Sequence, residues 1–231
     1  MFTDSSGLQP NATPVAMSGA QIKSTVAEYA QGAKNALDAG FDGIELHAAN
    51  GYLLEQFIRP TSNLRTDVYG GSIANRARFV LAVVDAVVKA VGMDKVGIRL
   101  SPFGVFNDLP DYPELADEYA DLAVQLNARG LVYIHLVDHA LMGAPAVPAS
   151  IKTMFRKTFK GALIPAGDYD AARADKDIAD GRCDLVAFGR PFLANPDFIA
   201  RSKAGAAMNA PDMDTFYTAD AKGYTDYAAL G

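Results

Sequence analysis

The chain has 231 residues, half of them apolar and 21% charged, with a net charge of −6, which fits a soluble domain with a sizeable core. That charge excludes a general nucleic-acid binder, which needs a basic footprint, and the longest apolar run, "FVLAVVDAVVKAV", is too short to cross a bilayer, so no membrane is expected. The single cysteine, Cys183, rules out an internal disulfide, and "MFTDSSG" has no signal-peptide pattern, so a cytoplasmic, reducing setting is expected.

Residues 1–18 read as an N-terminal loop. The next stretch carries Ile22, Val26, Tyr29, Ala33 and Leu37 on one helical stripe, with Ser18 and Gln21 at capping-box spacing and Gly40 as a stop. A short apolar run, "FDGIELH", follows. A helix is predicted over 75–90, with Phe79, Val80, Val83, Val84, Val87 and Val88 on one side and Gly92 at its end. "VGIRLS" comes next, then a helix over 113–128 that stops at Gly130, then "LVYIHLV". A weaker helix over 149–159 precedes "GALIPAG", and another over 169–180 precedes "DLVAFGR". Asn195 is expected to cap, and Pro196 to open, a last helix in "PDFIARSKA".

Helix, glycine, short buried strand is the unit that recurs, and it implies an α/β fold with an all-parallel sheet covered by helices. Five strands are expected, near Ile44, Ile98, Ile134, Ile164 and Val186, apolar enough to be buried on both faces. An open doubly wound sheet and part of a TIM (β/α)₈ barrel both use this unit. Polar or glycine residues follow several strands at their C-terminal ends, and the last two strands are followed by glycine-bearing loops, as in a barrel with a phosphate site. Strands four to eight of a barrel, with the first three absent, are therefore expected, residues 19–231 forming a partial (β/α) barrel.

His47 and Asn50 stand i, i+3 where the chain leaves a strand. Two N–H donors aimed at one point hold a carbonyl or nitro oxygen and stabilise the charge that grows on it. Tyr52 could deliver a proton nearby, since a phenol is a weak acid useful toward a strongly basic carbon. The alternative is a satisfied, partly buried histidine with Tyr52 as an aromatic lid on the core. Arg99, inside an apolar strand, needs an anionic partner: an electron-rich ring or anion, or a carboxylate such as Glu45. "PAGDY" (Ala166, Gly167, Asp168) and "AFGRP" (Gly189, Arg190) are candidates for a phosphate clamp, with Arg190 as a bidentate donor. Asp168 is awkward there unless it points away. His135 reads as a core histidine or a pocket residue. The three histidines and one cysteine show no metal-ligand spacing, and no nucleotide-binding glycine motif is present.

"GFDGIELHAANGYLLEQFIRPTSNLRTDVYGGSIANRARF", "VGIRLSPFGVF", "DLVAFGRPFLANPD" and "TFYTADAKGYTDY" together resemble the old yellow enzyme family of FMN-dependent ene reductases, near its N-ethylmaleimide reductase branch. The likeness runs over about residues 19–230. It implies FMN as cofactor, NADPH or NADH as reductant, and reduction of small-molecule alkenes conjugated to a carbonyl or nitro group. It implies that His47 and Asn50 hold the substrate oxygen, Tyr52 donates the proton, and Arg99 lies beside the flavin's N1 and O2 edge. By the same resemblance Gly167, Gly189 and Arg190 form the FMN phosphate site and Tyr217 stands at the pocket mouth. The alternatives are an inactive barrel fragment needing a complementary N-terminal segment, a homo-oligomer, or an unrelated sugar-phosphate barrel.

Overall fold

The computed structural model describes residues 2–4, 7–9 and 12–230. Part of the expected N-terminal loop, residues 1, 5–6 and 10–11, lies outside them. Within the rest of that segment β1 (Phe2–Asp4) pairs antiparallel with β2 (Gly7–Gln9), so the segment is not loop throughout.

The first helix, α1 (Gly19–Asp38), starts on the expected capping box. Ser18 Oγ accepts the Gln21 N–H at 3.3 Å and Gln21 Oε1 accepts the Ser18 N–H at 2.8 Å. Gly40 turns the chain at φ +93°, a conformation open to glycine without penalty. Then come β3 (Ile44–Ala48), the short α2 (Leu53–Ile58), α3 (Ile73–Val91) and β4 (Val96–Leu100). They are followed by α4 (Leu115–Ala128), β5 (Tyr133–Val137), α5 (Ala149–Thr158) and β6 (Ala162–Ala166). Three helices complete the chain: α6 (Ala171–Ala179), α7 (Arg190–Ala194) and α8 (Phe198–Ala204).

Strands β3, β4, β5 and β6 form one parallel sheet in sequence order. Strand side chains alternate between faces, and here the two faces differ. Leu46, Val96, Ile98, Leu100, Ile134, Leu136 and Leu163 are buried in one core with Val80, Val83, Val84 and Val87 of α3, Leu122 and Leu126 of α4, and Phe155 of α5. The other face carries Glu45, His47, Arg99, Tyr133, His135 and Ile164, and none of these is fully buried. Burial on both faces, expected from the apolar runs, is thus corrected: among the described residues helices cover one face, and on the other only Gly97 and Val137 are buried.

The expected fifth strand near Val186 is also corrected. It reduces to one parallel bridge, Ala166 to Ala187, with the Ala187 N–H donating to Pro165 O at 3.0 Å. The last helix begins later than expected. Asp197, not Asn195, stands at its N-cap. Asn195 is buried and ties the tail instead, accepting the Asn209 N–H at 2.7 Å and donating to Pro191 O at 2.8 Å.

Candidate active site

The C-terminal ends of β3, β4 and β5 are stitched together through one residue. Asn50 follows β3 in the left-handed region, at φ +61°, where asparagine is among the few non-glycine residues tolerated. Gly51 follows at φ +76°, and a Cβ there would lie 2.6 Å from Phe106 O. The Asn50 N–H donates to Ser101 Oγ, just after β4, at 2.8 Å. Asn107 Nδ2 donates to Asn50 O at 2.8 Å. His139, just after β5, holds the Asn50 side chain: Nε2 lies 2.7 Å from Oδ1.

Beneath this turn sits Glu55 of α2, 1% exposed. Its Oε2 accepts the Gly51 N–H at 2.7 Å and the Ser101 hydroxyl at 3.1 Å. Its Oε1 accepts the Tyr119 hydroxyl at 2.8 Å and Arg59 Nη2 at 2.9 Å. Arg59 is wholly buried; its Nε also donates to Glu55 Oε1, at 3.2 Å, and its remaining donors go to carbonyls, notably Gly104 O at 2.8 Å. A buried charge pair persists only when its remaining hydrogen-bonding groups are satisfied, and here they converge under the Asn50–Gly51 turn. Tyr52 is the N-cap residue of α2, so its backbone is fixed by the helix start while its side chain stays 55% exposed. Its ring centroid lies 5.4 Å from that of His47.

On the bare face, register places His47, Arg99 and His135 side by side across three strands. Glu45 belongs to His135, at 3.0 Å, and not to Arg99. Burial raises the Glu45 carboxyl, but the bonds from His135 and Tyr133 outweigh it and hold its pKa below the ordinary value. Tyr133 is correspondingly pushed up to about 12 by burial and by Glu45. Arg99 Nε is buried without a hydrogen-bond partner, as is His135 Nε2. Burial lowers the Arg99 pKa, with Glu45 acting against it. The His47 pKa is lowered by burial and then by the Arg99 charge. His139 falls to about 4, through burial and the charges of Arg99 and Arg190. One end of the sheet therefore gathers His47, Asn50, Arg99, His139 and Arg190.

The Ala166–Ala187 bridge brings the two glycine loops alongside each other. Gly167 turns at φ +112°, where a Cβ would lie 2.0 Å from Asp138 O. Around Gly189 a Cβ would meet nothing within 4 Å, so packing within the described residues does not demand a glycine there. Asp168 is exposed, with its carboxylate 3.8 Å from Arg173. Tyr217 is 97% exposed, and no described contact joins it to the other candidates. His139, Ser101 and Glu55 were not singled out in the sequence. "VDHA" ends β5 as "HAAN" ends β3, so the same rule, polar residues where a buried strand stops, reaches His139.

A family model for the NADH:flavin oxidoreductase / NADH oxidase family matches residues 3–209. The chain belongs to that family. A probable flavin mononucleotide-dependent alkene reductase of Leishmania infantum is 43% identical over 98% of this chain and 61% of its own length. 12-Oxophytodienoate reductase 1 of Oryza sativa subsp. japonica is 47% identical over 91% of this chain and 56% of its own. Among solved structures, morphinone reductase superposes with a TM-score of 0.92 at 47% identity, over 97% of this chain and 60% of its own. Morphinone reductase in complex with tetrahydroNAD superposes with a TM-score of 0.91 at 45% identity. The chain thus spans about three-fifths of the relatives' length. In this flavin oxidoreductase family setting, the unpartnered Arg99 Nε on the bare face and the open space at Gly189 suit a flat, electron-rich ring with an anionic tail. Among the described residues no helix is long and apolar enough to cross a membrane.

Proposed function

We propose that the chain carries the catalytic half of an old yellow enzyme-type ene reductase, which uses FMN and NADPH or NADH to reduce small alkenes conjugated to a carbonyl or nitro group. The observation that carries this reading is the register row of His47 beside an Arg99 whose buried Nε lacks a partner, with Asn50 at the strand end above it. Reduced FMN, when bound, supplies a hydride to the alkene β-carbon. The chain's residues do the rest. His47 and Asn50 donate to the substrate oxygen and stabilise charge that develops there, as an oxyanion site does. Neutral imidazole suits that role, and burial with Arg99 keeps His47 toward the neutral form. Tyr52, beside His47 and solvent-accessible, delivers the proton to the α-carbon. Arg99 holds the electron-rich edge of the ring. The loops at Ala166, Gly167 and Asp168 and at Gly189 and Arg190 hold the phosphate, with the Asp168 carboxylate turned toward Arg173. Tyr217 stands at the mouth of the pocket, and a cytoplasmic location supplies the reduced nicotinamide.

The sheet belongs, on this reading, to a (β/α)₈ barrel spanned here by residues 19–231, in which its four strands are the fourth to the seventh and the segment at the Ala187 bridge is the eighth. The bare face favours a second reading as well. Alone, the 231-residue polypeptide is an inactive fragment that needs strands from a complementary segment or a second copy. One experiment tests both: purify the polypeptide alone and with the N-terminal two-fifths of a relative, then measure bound flavin and NADPH oxidation with a cyclic enone. Colour and turnover only in the complemented sample support both statements. Absence of flavin and turnover in both samples rejects the enzymatic assignment.

A further inference from the structure

Asparagine is an ambiguous choice for an oxygen-binding residue. Its amide presents a carbonyl oxygen or an N–H group depending on a half-turn about one bond, and only the N–H attracts a negatively charged oxygen. Here the backbone of Asn50 is already fixed by Ser101 Oγ, Asn107 Nδ2 and its left-handed φ. The side-chain amide is the remaining freedom. His139 Nε2 lies 2.7 Å from Asn50 Oδ1, and a carbonyl oxygen can only accept, so with the amide in this orientation the nitrogen carries the proton. Asn50 Nδ2 has no partner among the described residues. The imidazole is itself held, edge-on to the Phe106 ring at 4.6 Å and 75°.

We propose that His139 is a positioning residue: by donating its Nε2–H to Asn50 Oδ1 it turns the Asn50 Nδ2–H group toward the ligand oxygen. The assignment rests on the ene-reductase reading for what that oxygen is, but the His139–Asn50 contact stands by itself. With Nε2 protonated, a flipped amide would set Nδ2–H against Nε2–H, two donors face to face, so that tautomer and this amide orientation select each other. Protonation would not improve the arrangement, because burial first, and then the charges of Arg99 and Arg190, oppose a positive charge on His139, with Asp138 the only group acting the other way. His139 therefore works as a neutral donor, setting direction and leaving the charge stabilisation to Asn50 and His47.

Two measurements test this. In the flavin-loaded protein complemented to a full barrel, affinity for a para-substituted phenol, whose oxyanion resembles an enolate oxygen, is titrated for His139→Leu, His139→Gln and each of these with Asn50→Ala. His139→Leu should weaken binding by about tenfold, the worth of one directed hydrogen bond. His139→Gln, which keeps an N–H donor, should recover most of it, and His139→Leu should cost nothing further once Asn50 is alanine. An equal loss in the Asn50→Ala background would overturn the proposal. Independently of flavin, the imidazole nitrogen resonances should show His139 as the neutral Nε2–H tautomer at pH 7, and His139→Leu should shift the Asn50 side-chain amide. An Nδ1–H tautomer would overturn the positioning role even if the protein binds flavin. A protein that shows the expected tautomer and amide shift yet takes up neither flavin nor phenol would instead sink the ene-reductase reading and leave the His139–Asn50 contact standing.

Discussion

Glu55 and Arg59 form a pair with almost no exposure, one turn apart on α2. Removing one partner of such a pair leaves a buried charge without its counterpart, which typically costs about 3–5 kcal/mol. Glu55→Ala should therefore lower stability to urea by roughly 3 kcal/mol and loosen the Asn50–Gly51 turn, because the Gly51 N–H and the Ser101 hydroxyl lose their acceptor at the same time. A variant as stable as the parent would show that the hub contributes little. At Tyr52 the expected effect is chemical. Tyr52→Phe keeps the ring beside His47 and removes the proton. In the complemented enzyme it should leave flavin reduction by nicotinamide unchanged and slow the alkene half-reaction, and stopped-flow traces with equal losses in both would remove Tyr52 as the donor. The histidines set a pH dependence. His47 and His139 are both depressed by burial and by Arg99. Below the ordinary histidine value of about 6.5 the unfolded chain takes up protons that the folded chain refuses, so stability falls as pH drops from there toward about 4, where His139 protonates. The buried or paired carboxylates that are held low, such as Asp177 and Asp184, titrate below that window. Melting temperature followed between those limits should fall in the parent and fall less in His139→Gln.

At the scale of elements, what the sequence makes visible is what depends on short-range pattern. Ser18 with Gln21, the valine stripe of α3 and the glycines after α1, α3 and α4 each act within a turn or two, and the structure has each where its pattern places it. Pairing is a different matter. "DLVAFGR" is apolar enough for a strand, but whether it pairs along its length depends on a distant neighbour, and it makes one bridge, at Ala187, with one further backbone bond from the Asp184 N–H to Leu163 O. Likewise, apolar runs do not report whether a second face is covered, and the alternation Glu45–His47 is a better guide to the bare face than the overall hydrophobicity of the run. In the site, His47, Asn50, Arg99 and Arg190 were legible because each breaks a local pattern. Glu55 was not, since a glutamate in the mostly apolar "LLEQFI" reads as the exposed side of an amphipathic helix. The adjacent glycine loops yield a prediction at this scale. If Arg190 closes a phosphate clamp, Arg190→Ala should weaken FMN binding in the complemented protein by about 2 kcal/mol or more, read by equilibrium flavin fluorescence. Unchanged affinity would place the phosphate elsewhere.

For the whole molecule the governing fact is a parallel sheet that, among the described residues, has helices on one side only. Parallel sheets are ordinarily buried on both faces, and the face bearing Glu45, His47, Arg99, Tyr133, His135 and Ile164 is polar in a specific way: its charges are paired across strands or, at Arg99, left waiting. Among the described residues strand β3 pairs only with β4, and β6 beyond β5 makes one bridge, at Ala187, and bonds to Asp184. Edges of this kind recruit further strands unless something covers them. A closed barrel would cover both the edges and the face and would bury a ring against Arg99. The 231-residue polypeptide by itself should then self-associate, bind a hydrophobic dye, and hold FMN weakly. With a segment supplying further barrel strands it should run as a defined complex and turn yellow. Size exclusion with absorbance read in the flavin band decides between these states. A soluble, monomeric and yellow polypeptide without any added segment would mean that the exposed face is stable as it stands, and that four strands and one bridge are enough to hold the cofactor.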